Sequence, residues 1–183
     1  MKKVLIVVDY QNDFVNGALG FESAKKLDKG IASLIEQYAK DDDGVIFCTF
    51  DTHGENYLET QEGKNLPVEH CIRGTKGWEL YGEVGMAEIM YPMKCTRVNK
   101  PTFGSLKLGG KLRTLNNDYG VESITLVGVV TNMCVISNAV IAKAACPEAK
   151  IIIKKDLVDS FDKELHQKAL DVMKSCQINI INE

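Results

Sequence analysis

Apolar runs alternate with amphipathic stretches along most of this chain. Five runs have the length and continuity of buried strands, and they cover residues 4–8, 45–50, 124–129, 151–153 and 178–181. Stretches long enough for helices separate most of these runs. The alternation predicts an α/β fold, with a parallel, Rossmann-like sheet and helices on both of its faces.

Helical spacing of apolar residues identifies the connections between these strands. The spacing holds over residues 27–38, 108–115 and 165–176, and turn-forming residues follow the first two of these segments. Ser160 and Asp162 are candidate N-caps for the last helix. Each of these helices is therefore expected to cover the sheet.

One long stretch departs from this pattern. Residues 51–98 are rich in glycine, glutamate and other polar residues, and residues 96–99 are their best strand candidate. The stretch holds two of the three histidines and the only tryptophan. Long irregular insertions in compact domains are usually functional or disordered. Because this one concentrates reactive side chains, we expect it to be functional.

Size, charge and cysteine usage narrow the classes of protein. A chain of 183 residues with 45% hydrophobic and 26% charged residues predicts one domain over residues 1–183. A net charge of -3 with scattered lysines argues against a nucleic-acid partner. The N-terminal apolar run is short and ends at Asp9, so we interpret it as a strand and expect no membrane partner. Six cysteines without a Cys-x-x-Cys pair predict a reducing, cytoplasmic location.

Cys134 follows a buried strand and opens the nearly uncharged stretch 134–145, which is predicted to be a buried helix. At a helix N-terminus the pKa of a thiol commonly falls from about 8.5 to roughly 3.5–7.5, because the dipole favours the thiolate. This position predicts a nucleophile. The alternative is an ordinary core cysteine.

Two further reactive groups follow predicted strands, Asp9 after the first and Lys100 after residues 96–99. The carboxyl ends of parallel strands face one crevice, so these groups are expected to meet Cys134 there. Together they supply a proton acceptor, a cation and a nucleophile. Taken singly, Asp9 could be a turn residue and Lys100 a solvated lysine.

Three motifs carry a resemblance to a known family. They are Val-Asp-Tyr-Gln-Asn-Asp-Phe at 8–14, Asn-Lys-Pro-Thr-Phe-Gly-Ser at 99–105, and Gly-Val-Val-Thr-Asn-Met-Cys-Val at 128–135. In order and spacing they resemble the isochorismatase-like cysteine hydrolases over nearly the whole chain. Asp-Thr-His at 51–53 and the segment 66–75 are similar to the metal-binding motifs of the nicotinamidase branch.

The resemblance implies metal-dependent hydrolysis of nicotinamide, or a close aromatic carboxamide, through a thioester on Cys134. Asp9 would be the general base, and Lys100 would hold it in place. The N–H groups of Val130 and Cys134 would form the oxyanion hole, next to a cis peptide between Val129 and Val130. The resemblance also implies a small-molecule amide substrate and a homo-oligomer.

A metal site is expected in the irregular stretch. Asp51 and His53 are two residues apart on an extended segment, so their side chains point the same way, and His70 returns on the following loop. This donor set suits zinc first, with manganese or iron as alternatives. Glu62 resembles a fourth ligand of the family, and its competitors in sequence are Glu55, Glu59 and Glu69.

Aromatic side chains are candidates for the wall of the substrate pocket. Phe14 and Phe103 follow motif positions, whereas Trp78 is proposed only because it lies near the metal motif in sequence. Packing in the core is the alternative for each of them. His166, on the predicted last helix, is expected to be a surface residue.

Other activities compete with this interpretation. Asn132 stands where the nicotinamidase motif commonly has an acidic residue, and residues 100–105 differ from the longer segment of many members. An isochorismatase-like amidohydrolase acting on another amide or a carbamoyl compound is therefore the first alternative, and vinyl-ether hydrolysis remains open. A noncatalytic metal-binding module is the second alternative, because a fold alone does not fix function.

Overall fold

The computed structural model describes residues 1–182, which form a parallel sheet with helices on both faces. Its strand order is β3-β2-β1-β4-β5-β6, and every neighbouring pair is parallel. The predicted fold class is confirmed. The strands are β1 (Lys2–Val8), β2 (Gly44–Asp51), β3 (Cys95–Lys100), β4 (Val121–Val129), β5 (Lys150–Asp159) and β6 (Asn179–Ile181).

Seven α-helices connect or follow these strands in the described part of the chain. They are α1 (Asn12–Val15), α2 (Asp28–Lys40), α3 (Gln61–Asn65), α4 (Gly82–Met90), α5 (Leu106–Tyr119), α6 (Ile136–Ala145) and α7 (Lys163–Ser175). Apolar residues of α5, α6 and α7 pack in one core cluster, and those of α2 and α4 pack in another. The sheet lies between the two clusters.

Strand β1 shows why apolar and polar residues do not alternate within the apolar runs. Val4, Ile6 and Val8 belong to one core cluster, whereas Leu5 and Val7 belong to the other. A strand covered by helices on both faces has no solvent-facing side, so every position is apolar. The run at residues 4–8 thus reflects its central place in the sheet.

The structure corrects three details of the predicted elements. Helix α4 lies inside the stretch predicted to be irregular. The sequence does not reveal this helix because apolar residues lie on both of its sides: Val84 is buried, whereas Met86 and Ile89 are exposed. The last helix is capped by Asp162, which accepts a hydrogen bond from the N–H of Leu165. Ser160 is not the cap; its hydroxyl accepts a hydrogen bond from the N–H of Asp162 (3.1 Å). Strand β5 extends well beyond residues 151–153.

The carboxyl ends of β1 and β4 approach each other closely at the edge where the candidate site lies. Val8 pairs with Gly128, whose φ is 111°. A Cβ at Gly128 would collide with the carbonyl oxygen of Val8. Only glycine fits at this crossing, both for its φ and for the space.

Within residues 1–182, no helix combines the length and the apolar character needed to cross a bilayer.

Candidate active site

Asp9, Lys100 and Cys134 meet at the carboxyl edge of the sheet. Asp9 directly follows β1, and Lys100 is the last residue of β3. Cys134 lies in a π-helical turn, Thr131–Val135, just beyond β4. The ammonium of Lys100 lies 2.7 Å from Asp9 Oδ2 and 3.6 Å from Cys134 Sγ. All three residues are buried, with at most 5% of their surface exposed. The predicted convergence of strand ends is present.

The Thr49 hydroxyl contacts both the carboxylate and the backbone of Asp9. Thr49 donates its hydroxyl hydrogen to Asp9 Oδ1 (2.7 Å), and the N–H of Asp9 faces the same hydroxyl oxygen at 3.2 Å. The φ of Asp9 is 44°, in the left-handed region that non-glycine residues seldom occupy. Backbone strain of this kind clusters at functional sites, where the surrounding structure over-determines the conformation.

The electrostatics around Cys134 differ from the sequence-based expectation. Burial raises the pKa of the Cys134 thiol well above its usual value, and the nearby charge of Lys100 only partly opposes this. Burial likewise raises the pKa of Asp9, again against the charge of Lys100. This direction is opposite to the low thiol pKa expected at a helix N-terminus, because Cys134 lies in a buried turn before α6, where loss of water disfavours the thiolate.

The turn around Cys134 is a compact hydrogen-bonded unit. The carbonyl of Val130 accepts hydrogen bonds from the N–H groups of Met133 (3.1 Å) and Val135 (3.2 Å). The side-chain amide of Asn138 donates to the carbonyl of Cys134 at 2.8 Å. The peptide bond between Val129 and Val130 is cis, as the resemblance implied.

Four potential metal ligands form a second cluster beside these residues. Asp51 Oδ2 lies 3.1 Å from His53 Nε2 and 3.4 Å from His70 Nε2. Glu62 Oε1 lies 3.8 Å from His53 Nε2, and one ligand atom from each of the four residues falls within 4.8 Å of the others. Glu62 is therefore part of this group of potential ligands. Its sequence competitors, Glu55, Glu59 and Glu69, are outside the cluster that the described residues form.

The chemistry of this cluster fits a divalent metal ion. The Nδ1 of His70 lies 2.7 Å from the carbonyl oxygen of Val68, which fixes the proton on Nδ1 and turns the Nε2 lone pair toward the cluster. Burial opposes charge on Asp51, yet its contacts with the His53 and His70 rings and the charge of Lys100 hold the pKa of its carboxyl well below its usual range. Two imidazoles and two carboxylates are a donor set typical of zinc and similar ions.

Gln11 clamps the end of β2 through its side-chain amide. Its Oε1 accepts a hydrogen bond from the N–H of Asp51 (2.8 Å), and its Nε2 donates to the carbonyl of Asp51 (2.9 Å) and to that of Trp78 (2.8 Å). Gln11 is fully buried. Sequence reasoning missed this residue, because its partners lie 40 and 67 positions away and a glutamine in a polar turn looks ordinary.

Both clusters border one largely apolar cavity of about 300 Å³. Phe14 and Phe103 line it, as the sequence motifs suggested. Trp78 is not among the lining residues, which corrects its assignment to the pocket wall. It packs on Phe50 with ring centroids 5.3 Å apart, and its indole N–H donates to Thr52 Oγ1. Sequence reasoning gave no signal for four further lining residues, Leu19, Leu66, Met133 and Phe161.

Comparison with known proteins places this architecture in a family. A family model described as the isochorismatase domain matches residues 3–182. The chain belongs to the isochorismatase family. The resemblance found in the sequence motifs is thereby confirmed.

Relatives of this isochorismatase-family chain include bacterial and archaeal proteins. An uncharacterized isochorismatase family protein, PncA of Bacillus subtilis (strain 168), is 32% identical over 180 residues, which is 93% of each chain. The crystal structure of nicotinamidase/pyrazinamidase PncA from Bacillus subtilis covers 100% of both chains, at 30% identity and a TM-score of 0.87. Pyrazinamidase of Pyrococcus horikoshii, in complex with zinc, covers 100% of both chains at 26% identity and a TM-score of 0.82.

His166 of the isochorismatase-family chain occupies a different environment from the one expected. It was predicted to be a surface residue, yet it is only half-exposed, and its Nδ1 lies 2.9 Å from the hydroxyl oxygen of Thr131. The contact joins α7 to the turn that carries Cys134. No helical periodicity could reveal it, because the two residues are 35 positions apart.

Proposed function

We propose that this protein hydrolyses nicotinamide, or a close aromatic carboxamide, to the acid and ammonia through a thioester on Cys134. Its relatives indicate an amidohydrolase. One observation carries the proposal. Cys134 and three of the four potential metal ligands, Asp51, Glu62 and His70, line the same apolar cavity, so a flat ring could lie between them.

The first half of the proposed reaction forms the thioester. Asp9 takes the proton of the Cys134 thiol, and the sulfur attacks the amide carbon. The N–H groups of Val130 and Cys134 donate to the resulting oxyanion, and one such donor is worth about 2.7–4 kcal/mol. Asp9 then gives the proton to the leaving nitrogen, so ammonia departs as the carbon–nitrogen bond breaks.

The second half releases the acid. Asp9, again unprotonated, takes a proton from water, and the oxygen of that water attacks the thioester carbon. The carbon–sulfur bond breaks, the acid leaves, and Asp9 returns its proton to the sulfur of Cys134. Lys100 stays paired with Asp9 at 2.7 Å, which keeps the carboxylate in place and balances its charge.

The residues around the ring set its orientation. Asp51, His53, Glu62 and His70 would hold a divalent ion, with zinc the first expectation. When bound, this ion supplies a Lewis-acidic position for the pyridine nitrogen, directly or through water. Phe14 and Phe103 would contact the ring, and their contribution is positioning.

Ammonia release tests the proposal. Wild-type protein, Cys134→Ala and metal-stripped wild type are assayed with nicotinamide and with benzamide, which has the same amide but no ring nitrogen. We expect release that needs both Cys134 and metal, and that is much faster for nicotinamide. Zinc-loaded wild type that releases no ammonia from nicotinamide would overturn the proposal and leave the amidohydrolase alternative. Equal rates on benzamide would remove the proposed role of the ring nitrogen.

Further predictions from the sequence accompany this function. We infer a single domain over residues 1–183, a cytoplasmic location and a homo-oligomer. All six cysteines are free in the structure, in agreement with a reducing location. The location, the assembly and the domain bounds stay predictions.

A further inference from the structure

A side-chain hydrogen bond joins helix α7 to the turn that carries Cys134. The Nδ1 of His166 lies 2.9 Å from Thr131 Oγ1. Thr131 is fully buried and directly follows Val130, one of the two proposed oxyanion donors. We propose that His166 is a positioning residue, whose neutral ring holds Thr131 and with it the oxyanion donors, and that protonation of the ring releases this hold. The inference rests on the proposed function for its catalytic consequence.

Hydrogen-bond chemistry explains why the charge of the ring matters. A neutral imidazole can accept a hydrogen bond at Nδ1, so the Thr131 hydroxyl can donate to it. An imidazolium has N–H groups at both ring nitrogens and can only donate. Protonation of His166 therefore deprives the buried hydroxyl hydrogen of its acceptor. A buried polar group left without a partner is costly, so the turn is expected to shift.

A shift of Thr131 would be transmitted to both oxyanion donors. The carbonyl of Val130 accepts from the N–H groups of Met133 and Val135, which enclose Cys134 in the same hydrogen-bonded turn. Val130 and Cys134 consequently move with Thr131 rather than independently of it. Oxyanion donors act through their fixed placement, so even a small displacement lowers the rate.

The surroundings of His166 favour its neutral form. Burial lowers the pKa of the ring below its usual value, and the charges of Lys163 and Lys155 act in the same direction. Asp159 opposes them, but its carboxylate is paired with Lys163. These are the charged groups that act on the ring, from β5 and from α7 itself. The lowered pKa favours the neutral ring near pH 7, and the ring gains its proton only at a pH below the usual range for histidine.

Two substitutions of His166 separate its possible roles in catalysis. His166→Asn places an amide oxygen near the Nδ1 position, so it keeps an acceptor that does not titrate. We expect this variant to retain most of kcat and to lose one acid step from the kcat profile. His166→Phe keeps a ring without an acceptor, and we expect kcat to fall on the order of tenfold at all pH values with KM within about twofold. Gln167→Phe, on the exposed side of the same helix, is the matched control and should behave as wild type.

A measurement without substrate keeps this inference separate from the proposed function. The titration of the His166 ring is followed by NMR in wild type and in Thr131→Val, which removes the hydroxyl and keeps the shape. Because the hydroxyl favours the neutral ring, its loss should raise the midpoint by about 0.5 pH unit. An unchanged midpoint would overturn the inference, even if nicotinamide is hydrolysed. If the midpoint moves but no ammonia is released, the positioning contact stands and the proposed function fails.

Discussion

Replacing Gln11 with methionine tests whether one buried amide fixes the end of β2. The substitution keeps an unbranched side chain of similar length but removes one acceptor and two donors. It leaves the N–H and carbonyl of Asp51 and the carbonyl of Trp78 without their side-chain partner. Each buried backbone group without a partner costs about 1–3 kcal/mol. Even at the lower end, the two buried backbone groups of Asp51 alone predict a fall of about 2 kcal/mol in the free energy of unfolding, a substantial part of the roughly 5–15 kcal/mol typical of a domain.

Urea unfolding measures this loss, and Gln37→Met provides the matched control. Gln37 lies on the exposed side of α2 and makes a single side-chain hydrogen bond, to Ser33 at 3.2 Å. The same chemical change there should alter the free energy of unfolding by no more than about 0.5 kcal/mol. The difference between the two variants isolates the effect of burial.

The same substitution should weaken metal binding, because Gln11 holds the backbone of Asp51, one of the four potential ligands. Loss of groups that position ligands typically costs 10- to 100-fold in metal affinity, and we expect an effect of about that size in competition with a zinc chelator. Gln11→Met could instead unfold at the same urea concentration as Gln37→Met and bind zinc equally well. In that case the hydrogen bonds of the Gln11 side chain would stabilise neither the fold nor the metal site, and the prediction would be wrong.

Three further substitutions probe the core, a helix cap and the buried ion pair. Leu112→Ala empties part of the fully buried core under α5 and should cost about 2–5 kcal/mol in urea unfolding. Thr60→Ala removes the N-cap of α3, costing about 1 kcal/mol, and should lower zinc affinity because Glu62 lies in that turn, whereas Thr60→Ser should restore both. Lys100→Met leaves the Asp9 carboxylate buried without its cation; we expect a loss of about 3–5 kcal/mol and no ammonia release, and a stable, active variant would contradict the assigned pair.

Most of the fold could be predicted because the buried positions of its strands and helices are apolar and follow a regular spacing in the sequence. Strand β1 is apolar at every buried position, and α2 keeps Ile31, Leu34 and Ile35 on one face. Helix α4 could not be predicted in this way. Its buried face includes Glu88, which pairs with Arg97, while apolar residues such as Ile89 face solvent. Its pattern therefore lacks the contrast on which the prediction depends.

Some residues of the site could likewise be predicted from the sequence, and others could not. Asp9, Lys100 and Cys134 could be predicted because a parallel sheet brings strand ends together, and this rule requires only the strands themselves. Gln11 and His166 required knowledge of partners that no rule of local structure supplies. Gln11 depends on a backbone 40 positions away, and His166 on a hydroxyl 35 positions away. Asp9, Lys100 and Cys134 were therefore found from sequence, whereas Gln11 and His166 were found only from their contacts.

The distribution of charge links the two clusters. Asp9, Asp51 and Glu62 contribute three carboxyl groups to a region with one buried ammonium, and Lys100 contacts both Asp9 (2.7 Å) and Asp51 (3.4 Å). Buried carboxylates are stable only when they are paired or bound to a metal. Burial and then the charge of Asp51 raise the pKa of Glu62, against the opposing effects of His53, His70 and Lys100, which agrees with an excess of negative charge around this carboxyl. A divalent cation among the four ligands would balance it, and Lys100 would then be free to serve Asp9 and Cys134. The four potential metal ligands and the group formed by Asp9, Lys100 and Cys134 thus form one electrostatic unit.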